Sequence, residues 1–154
     1  MPLNRDLIGR EYAADEPYEV SRELIRRFAQ AIGDDDPAYT DAAAARQLGH
    51  PDVIAPPTFL TVLAFRYALT GPVADPDLGL DYSLVVHGEQ RFVHHRPTRA
   101  GDVLAVSTRV DAIRDAGSNE LMTTLTSITT TAGEPVCDMY STLVSRGTAA
   151  GAQA

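Results

Sequence analysis

The chain is short of the residues that fix a disulfide, a metal cluster or a membrane span. Its 154 residues include one cysteine, Cys137. No intrachain disulfide and no cysteine metal cluster is therefore possible, and Cys137 reads as a small buried apolar side chain. No stretch approaches the roughly 18 apolar residues of a membrane helix. Met1–Asp6 carries one arginine and no apolar run follows, so a signal peptide is not expected and the cytoplasm is the expected location. Positive charge is scarce. Lys and Arg number 13 against 21 Asp and Glu, for a formal charge of −8. Such a chain does not attract a phosphate backbone, which argues against general nucleic-acid binding. The length suits one domain with a real core. We expect that domain over residues 1–147. The tail 148–154 is small-residue sequence without apolar pattern and is expected to fray.

What the sequence does contain falls into two halves. In the first, Ser21 is a plausible N-cap with Glu23 in the first turn. Leu24, Ile25, Phe28, Ala29, Ala31 and Ile32 then form an apolar stripe at helical spacing, ended by Gly33. Asp34–Asp41 (DDDPAYTD) is a polar turn, and a short helix over Asp41–Gln47 follows. Pro56 and Pro57 precede TFLTVLAFRYAL, Thr58–Leu69, apolar on nearly every face with Arg66 its only charge. A helix apolar all round is buried, and proline suits its first turn. A helix of about Pro57–Leu69 in the core is the expectation. Thr70–Asp81, rich in Gly and Pro, is a loop.

From Tyr82 the period changes to two. Leu104, Val106, Thr108 and Val110 alternate with Ala105, Ser107, Arg109 and Asp111. Glu120–Thr131 is rich in threonine and aliphatics, and Val136, Asp138, Tyr140, Thr142 and Val144 form another alternating set. Turn signals at Arg99–Asp102, Asp115–Ser118 and Ala132–Glu134 predict three hairpin connections between four strands. A buried helix with an antiparallel meander is α+β. A sheet wrapped round such a helix is the hot-dog fold. Its open edge calls for a second hot-dog domain, so a dimer is expected.

Two segments carry a family resemblance: FAQAIGDDDPAY, Phe28–Tyr39, and LVVHGEQRFVHHRPTRAGD, Leu84–Asp102. With the helix between them they cover most of the chain. They resemble the MaoC-like (R)-hydratase/dehydratase family, in its N-terminal dehydratase-like domain. HGEQ and RPxRAGD are most similar to the substrate-binding, non-catalytic half of the two-hot-dog hydratases. The single-domain layout and APPTF look like the accessory subunit of actinobacterial (3R)-hydroxyacyl-ACP dehydratase. The resemblance implies an acyl-CoA or acyl-carrier-protein thioester as ligand. It implies no cofactor. It also implies a dimer, either of like chains or with a catalytic MaoC-like subunit.

Active members carry a motif close to Gly-Asp-x-Asn-Pro-x-His, whose Asp and His hold the reacting water. A later His-Gly supplies a backbone N–H to the thioester oxygen. Laid on that pattern, Gly33, Asp34 and Pro37 match. Asp36 stands for the Asn, Tyr39 for the His, and Pro56-Pro57 for the His-Gly. A phenol with a pKa near 10 does not shuttle protons at neutral pH as imidazole does. Proline has no N–H to offer. A third carboxylate in Asp34-Asp35-Asp36 disturbs Asp34 as a base. Together these imply a subunit that binds acyl thioester and leaves hydration to a partner. Asp34 and Tyr39 occupy the catalytic positions without a confident catalytic role.

The candidate binding residues are His87, Gly88 and Gln90 in HGEQ, Thr58 and Phe59 at the start of the buried helix, and Arg96. A structural role stands beside each: a histidine near a dimer seam, a close backbone approach, core packing, a solvated strand end. Arg91–Arg99 (RFVHHRPTR) has no acid, and the alternative to a solvated strand end is a site for thioester phosphates. His94 and His95 are adjacent on a strand and point to opposite faces, so no metal site is expected. Two other functions stay open. One is an active homodimeric hydratase or thioesterase using His87 with Asp34 or Glu89. The other is a non-enzymatic acyl-thioester-binding module.

Overall fold

The computed structural model describes residues 1–67 and 70–150. Helix α1, Arg22–Ile32, begins where Ser21 accepts the Leu24 N–H and ends at Gly33 in the left-handed region, φ 73°. Both caps satisfy backbone groups that the helix itself leaves unpaired. α1 buries Ile25 and Ala29, and Phe28 meets Phe59 edge to face at 5.5 Å. Its other stripe residues, Leu24 and Ile32, are exposed. Helix α2, Ala42–Gln47, is capped by Asp41.

The central segment differs from the expectation of a long helix. Tight turns carry the chain through Pro57–Leu60: the Phe59 N–H donates to Pro56 O and the Thr61 N–H to Thr58 O. Only Thr61–Arg66 is α-helix, α3. The expected end at Leu69 lies outside the described residues. Burial is also one-sided. Phe59, Leu60 and Leu63 are 1% exposed, whereas Phe65 is 82% exposed. The apolar face that the sequence carries around Phe65 meets a cavity and solvent in the single chain.

The buried side packs on an antiparallel sheet, which gives the hot-dog arrangement. Its strands are β1, Glu11–Ala13; β2, Tyr18–Glu19; β3, Val85–His94; β4, Val103–Ala116; β5, Asn119–Thr130; and β6, Pro135–Ser145. The order is β1-β4-β5-β6-β3, with β2 also on β4. β4, β5 and β6 form a meander through the two hairpins that the turn signals mark. The first of these closes on Ala116 opposite Asn119, with Gly117 at φ 63° as a two-residue turn requires.

The third expected hairpin is corrected. β3 pairs with β6, not β4, so Arg96–Asp102 crosses from one side of the sheet to the other. On the way it is stitched to the segment before α3. The Ala55 N–H donates to Thr98 O at 2.7 Å and the Ala100 N–H to Val53 O at 3.0 Å. Among the described residues β3 has β6 as its only strand neighbour, and its other edge is open.

The helix-facing residues of β5 alternate strictly: Glu120, Met122, Thr124, Thr126 and Ile128 are buried. Apolar clusters occupy both ends of this face. Leu104, Val106, Ile128 and Cys137 join Phe59, Leu60 and Leu63 at one end. Val110, Ile113 and Met122 join Leu3, Leu7 and Leu78 at the other. A bulge between Val110 and Ala112 turns Ile113 inward. Thr148 and Ala149 are buried, and the Ala149 N–H donates to Ser118 O, so this part of the expected tail is packed rather than frayed. Residues 151–154 lie outside the described residues. No helix among the described residues is long and apolar enough to cross a membrane.

Candidate functional site

Between the two apolar clusters the sheet and α3 part to leave a cavity of about 420 Å³. Its lining includes Leu63 and Phe65 from α3, Pro72 and Val73 from the following loop, and His87 and Gln90 from β3. Ala64, Phe65, Tyr82 and His87 are the exposed members, which puts the opening between α3 and the free β3 edge.

His87 and Gln90 share that wall because β3 bulges between His87 and Glu89. Residues three apart in a regular strand point to opposite faces, and the extra residue brings these two to one face. The Gln90 Nε2 donates to Tyr140 O at 3.0 Å, which turns Oε1 toward His87 Nε2 at 3.3 Å. An amide oxygen only accepts, so a proton on Nε2 completes this contact, and Ser141 Oγ lies at the same 3.3 Å from that nitrogen. Gly88 makes the bulge possible. A Cβ there would lie 3.0 Å from Val144 Cγ2 and 3.3 Å from Thr142 O. Gly88→Ala is therefore expected to destabilise the fold by about 1–3 kcal/mol through overpacking. Urea unfolding measures this, and a change under about 0.5 kcal/mol would mean that the bulge accommodates a methyl.

The turn after α1 holds Asp34 and Tyr39, which the MaoC-like resemblance sets against the catalytic Asp and His. Asp34 is exposed and accepts the Asp36 N–H, while Asp36 accepts the Ala38 N–H at 2.9 Å. These are turn-making bonds of short acidic side chains. Tyr39 is buried in the first cluster. Burial pushes its phenol above the ordinary value, and the nearby Asp34 and Asp36 push it the same way. At neutral pH it is a neutral phenol. Pro57 presents a carbonyl, which accepts from His94 Nε2 at 2.9 Å. His94 in turn stacks on Phe92, with centroids 5.8 Å apart. Tyr39 thus offers a neutral phenol, and Pro57 a carbonyl without an N–H.

A family model described as "FAS1-like, dehydratase domain region" matches residues 6–139. The chain belongs to this family. It is similar to a UPF0336 protein of Parafrankia sp., 54% identical over 149 residues, covering 97% of this chain and 98% of that one. Among solved structures it is similar to the C-terminally truncated HadBC (3R-hydroxyacyl-ACP dehydratase) complex of Mycobacterium tuberculosis. That match has a TM-score of 0.80 and 32% identity, over 92% of this chain and 99% of the other. A MaoC-like dehydratase matches with a TM-score of 0.80 and 34% identity, over 91% of this chain and 42% of the other. The MaoC-like resemblance read from HGEQ and RPxRAGD, and the hot-dog fold with it, are borne out.

In this member of the family the candidate binding residues do not all meet. His87 and Gln90 line the cavity, with Gly88 behind them. Thr58 is exposed and Phe59 is in the core, and neither lines the cavity. Arg96 is taken up by the protein. Its guanidinium donates to both Asp102 oxygens at 2.9 Å and to Glu134 at 3.0 and 3.1 Å. Neither Asp34 nor Glu89 lines the cavity with His87. His95 pairs with Asp138 at 3.0 Å. Among the described residues no group of three His, Cys, Asp or Glu is placed to hold a metal.

The sequence reading missed Thr108, Thr124, Thr126 and Ser141, which line the cavity from β4, β5 and β6. The signal was present as strand alternation. Threonines at even positions between buried Met122 and Ile128 must face inward.

Proposed function

We propose that the chain is the acyl-thioester-binding, non-catalytic subunit of a (3R)-hydroxyacyl-ACP or -CoA dehydratase (enoyl hydratase) in cytoplasmic fatty-acid metabolism. The carrying observation is the joint state of Tyr39 and Pro57. The phenol is buried and raised, and the residue at the oxyanion position has only a carbonyl, already bonded to His94. An intact motif on a MaoC-like partner supplies the acid–base pair and the N–H donor. This chain supplies the cavity, with His87 and Gln90 oriented at its wall. The partner docks along the open β3 edge, where Val86 and Val93 are exposed. A strand edge of this kind presents unpaired backbone groups that a second sheet satisfies. The similarity to a two-subunit dehydratase complex supports this arrangement.

Co-expression with a MaoC-like subunit that carries the intact motif tests the proposal. A stable complex is expected. His87→Ala and Gln90→Ala are expected to weaken binding of a saturated acyl-coenzyme A by roughly tenfold each, about one hydrogen bond, with the complex intact. A chain that remains monomeric beside that subunit, or binding unmoved by both substitutions, would overturn the assignment.

A further inference from the structure

The inner wall of the cavity is polar in the middle, where a hot-dog core is otherwise apolar. Register places Thr108 beside Thr126, and Thr124 beside Ser141, which pairs with Gln90 on β3. A belt of hydroxyls and one amide therefore runs across four strands between the two apolar clusters. The Thr108 and Thr126 hydroxyls bond each other at 2.8 Å, and neither makes another side-chain hydrogen bond among the described residues. Two hydroxyls carry two hydrogens, and their mutual bond uses one. The second hydrogen, together with the remaining lone pairs, is free for a ligand. Valine would fill the same volume without that requirement. A saturated chain laid against this pair leaves a buried O–H unpaired, which is unfavourable.

We propose that the cavity takes an acyl group bearing a hydroxyl or oxo oxygen along its chain, bonded by the Thr108/Thr126 pair, in preference to a plain alkyl chain. This deepens the acyl-thioester reading and rests on it. The oxygen sits away from the thioester. Thr126 is on β5, two strands in from the β3 edge, a lateral distance of about 10 Å. A site built to bond a substrate oxygen discriminates against the analogue lacking it, because its own polar groups are then stranded.

The experiment is calorimetric titration of the protein, with its co-purified partner where one is present. The probes are a saturated medium-chain acyl-coenzyme A and a series with one hydroxyl or oxo group moved along the same chain. No probe has an enoyl double bond and none carries its oxygen at carbon 3, so none is hydrated or dehydrated during the measurement. At one position the oxygenated probe is expected to bind about tenfold tighter than the saturated one. Thr126→Val should bring the two within about twofold and leave saturated-chain binding equal or tighter. Thr108→Val is the second variant and should act alike. Saturated and oxygenated probes binding equally, or a preference that survives both substitutions, would overturn this inference and leave the acyl-thioester reading standing. No binding of any probe would remove both.

Discussion

The purified chain, free of partner, is expected to hydrate a crotonyl thioester no faster than buffer, and addition of a MaoC-like subunit with an intact motif to raise the rate by at least about 10²-fold. The argument is local. Losing an acid–base group costs about 10²–10⁴ in rate and losing an oxyanion donor about 10²–10³. The two act in one constellation, so the factors are not multiplied. Tyr39 carries its proton throughout the neutral range, because burial and two neighbouring carboxylates raise the phenol further. Pro57 lacks an N–H, and its carbonyl is taken up by His94 Nε2 at 2.9 Å. Tyr39→His alone should accordingly leave the chain inactive, since the donor is still missing. A continuous absorbance assay at the enoyl thioester band reads all three cases. Robust turnover by the chain alone, lost in His87→Ala or Asp34→Asn, would sink the accessory assignment and favour a self-sufficient homodimer.

Much of the fold was legible because local chemistry dictated it. Ser21 and Gly33 bracket α1 as capping rules require. The strands β4, β5 and β6 follow from the period of two and from turns that only glycine at positive φ makes cheaply. The crossing of Arg96–Asp102 was not legible. A turn signal says where the chain reverses, not which strand it reverses onto, and β3 finds β6 through contacts fifty residues apart in sequence. The length of α3 escaped for a related reason. An apolar run predicts contact with something apolar, but the cavity and the exposed Phe65 show that one chain does not provide all of it.

The site was legible in its identity changes and less so in its geometry. Tyr39 and Pro57 are visible by residue type alone: a phenol has no imidazole nitrogen and a proline has no N–H. The coupling of His87 to Gln90 depends on a bulge, which an alternation pattern does not reveal. Arg96 is the opposite case. The stretch Arg91–Arg99 contains no acid, so its charge looks free in sequence. The acids that hold it come from elsewhere: Asp102 just beyond, and Glu134 from the turn between β5 and β6.

Asp102→Ala is expected to cost about 3 kcal/mol of folding stability, the largest effect of any single polar substitution considered. Asp102 is 6% exposed. It accepts two bonds from the Arg96 guanidinium and one from the Arg99 N–H, each at 2.9 Å. Its removal leaves the guanidinium, whose side chain is 14% exposed, with Glu134 and the Pro97 carbonyl, and strands a backbone donor in the crossing segment. Arg96→Met should cost less, and the double variant less than the sum of the two, because an apolar replacement of the whole pair avoids an uncompensated charge. Urea unfolding at constant m-value gives the three numbers. A loss below about 1 kcal/mol for Asp102→Ala would mean that water reaches the pair. The same variants decide what Arg96 does for ligand. A guanidinium whose five N–H groups go to two carboxylates and the Pro97 carbonyl has no bond to spare for a phosphate, so Arg96→Met should leave acyl-coenzyme A affinity unchanged in protein that is still folded. A tenfold loss there would instead make Arg96 part of the binding surface, and would require the Asp102 and Glu134 contacts to open when the thioester arrives.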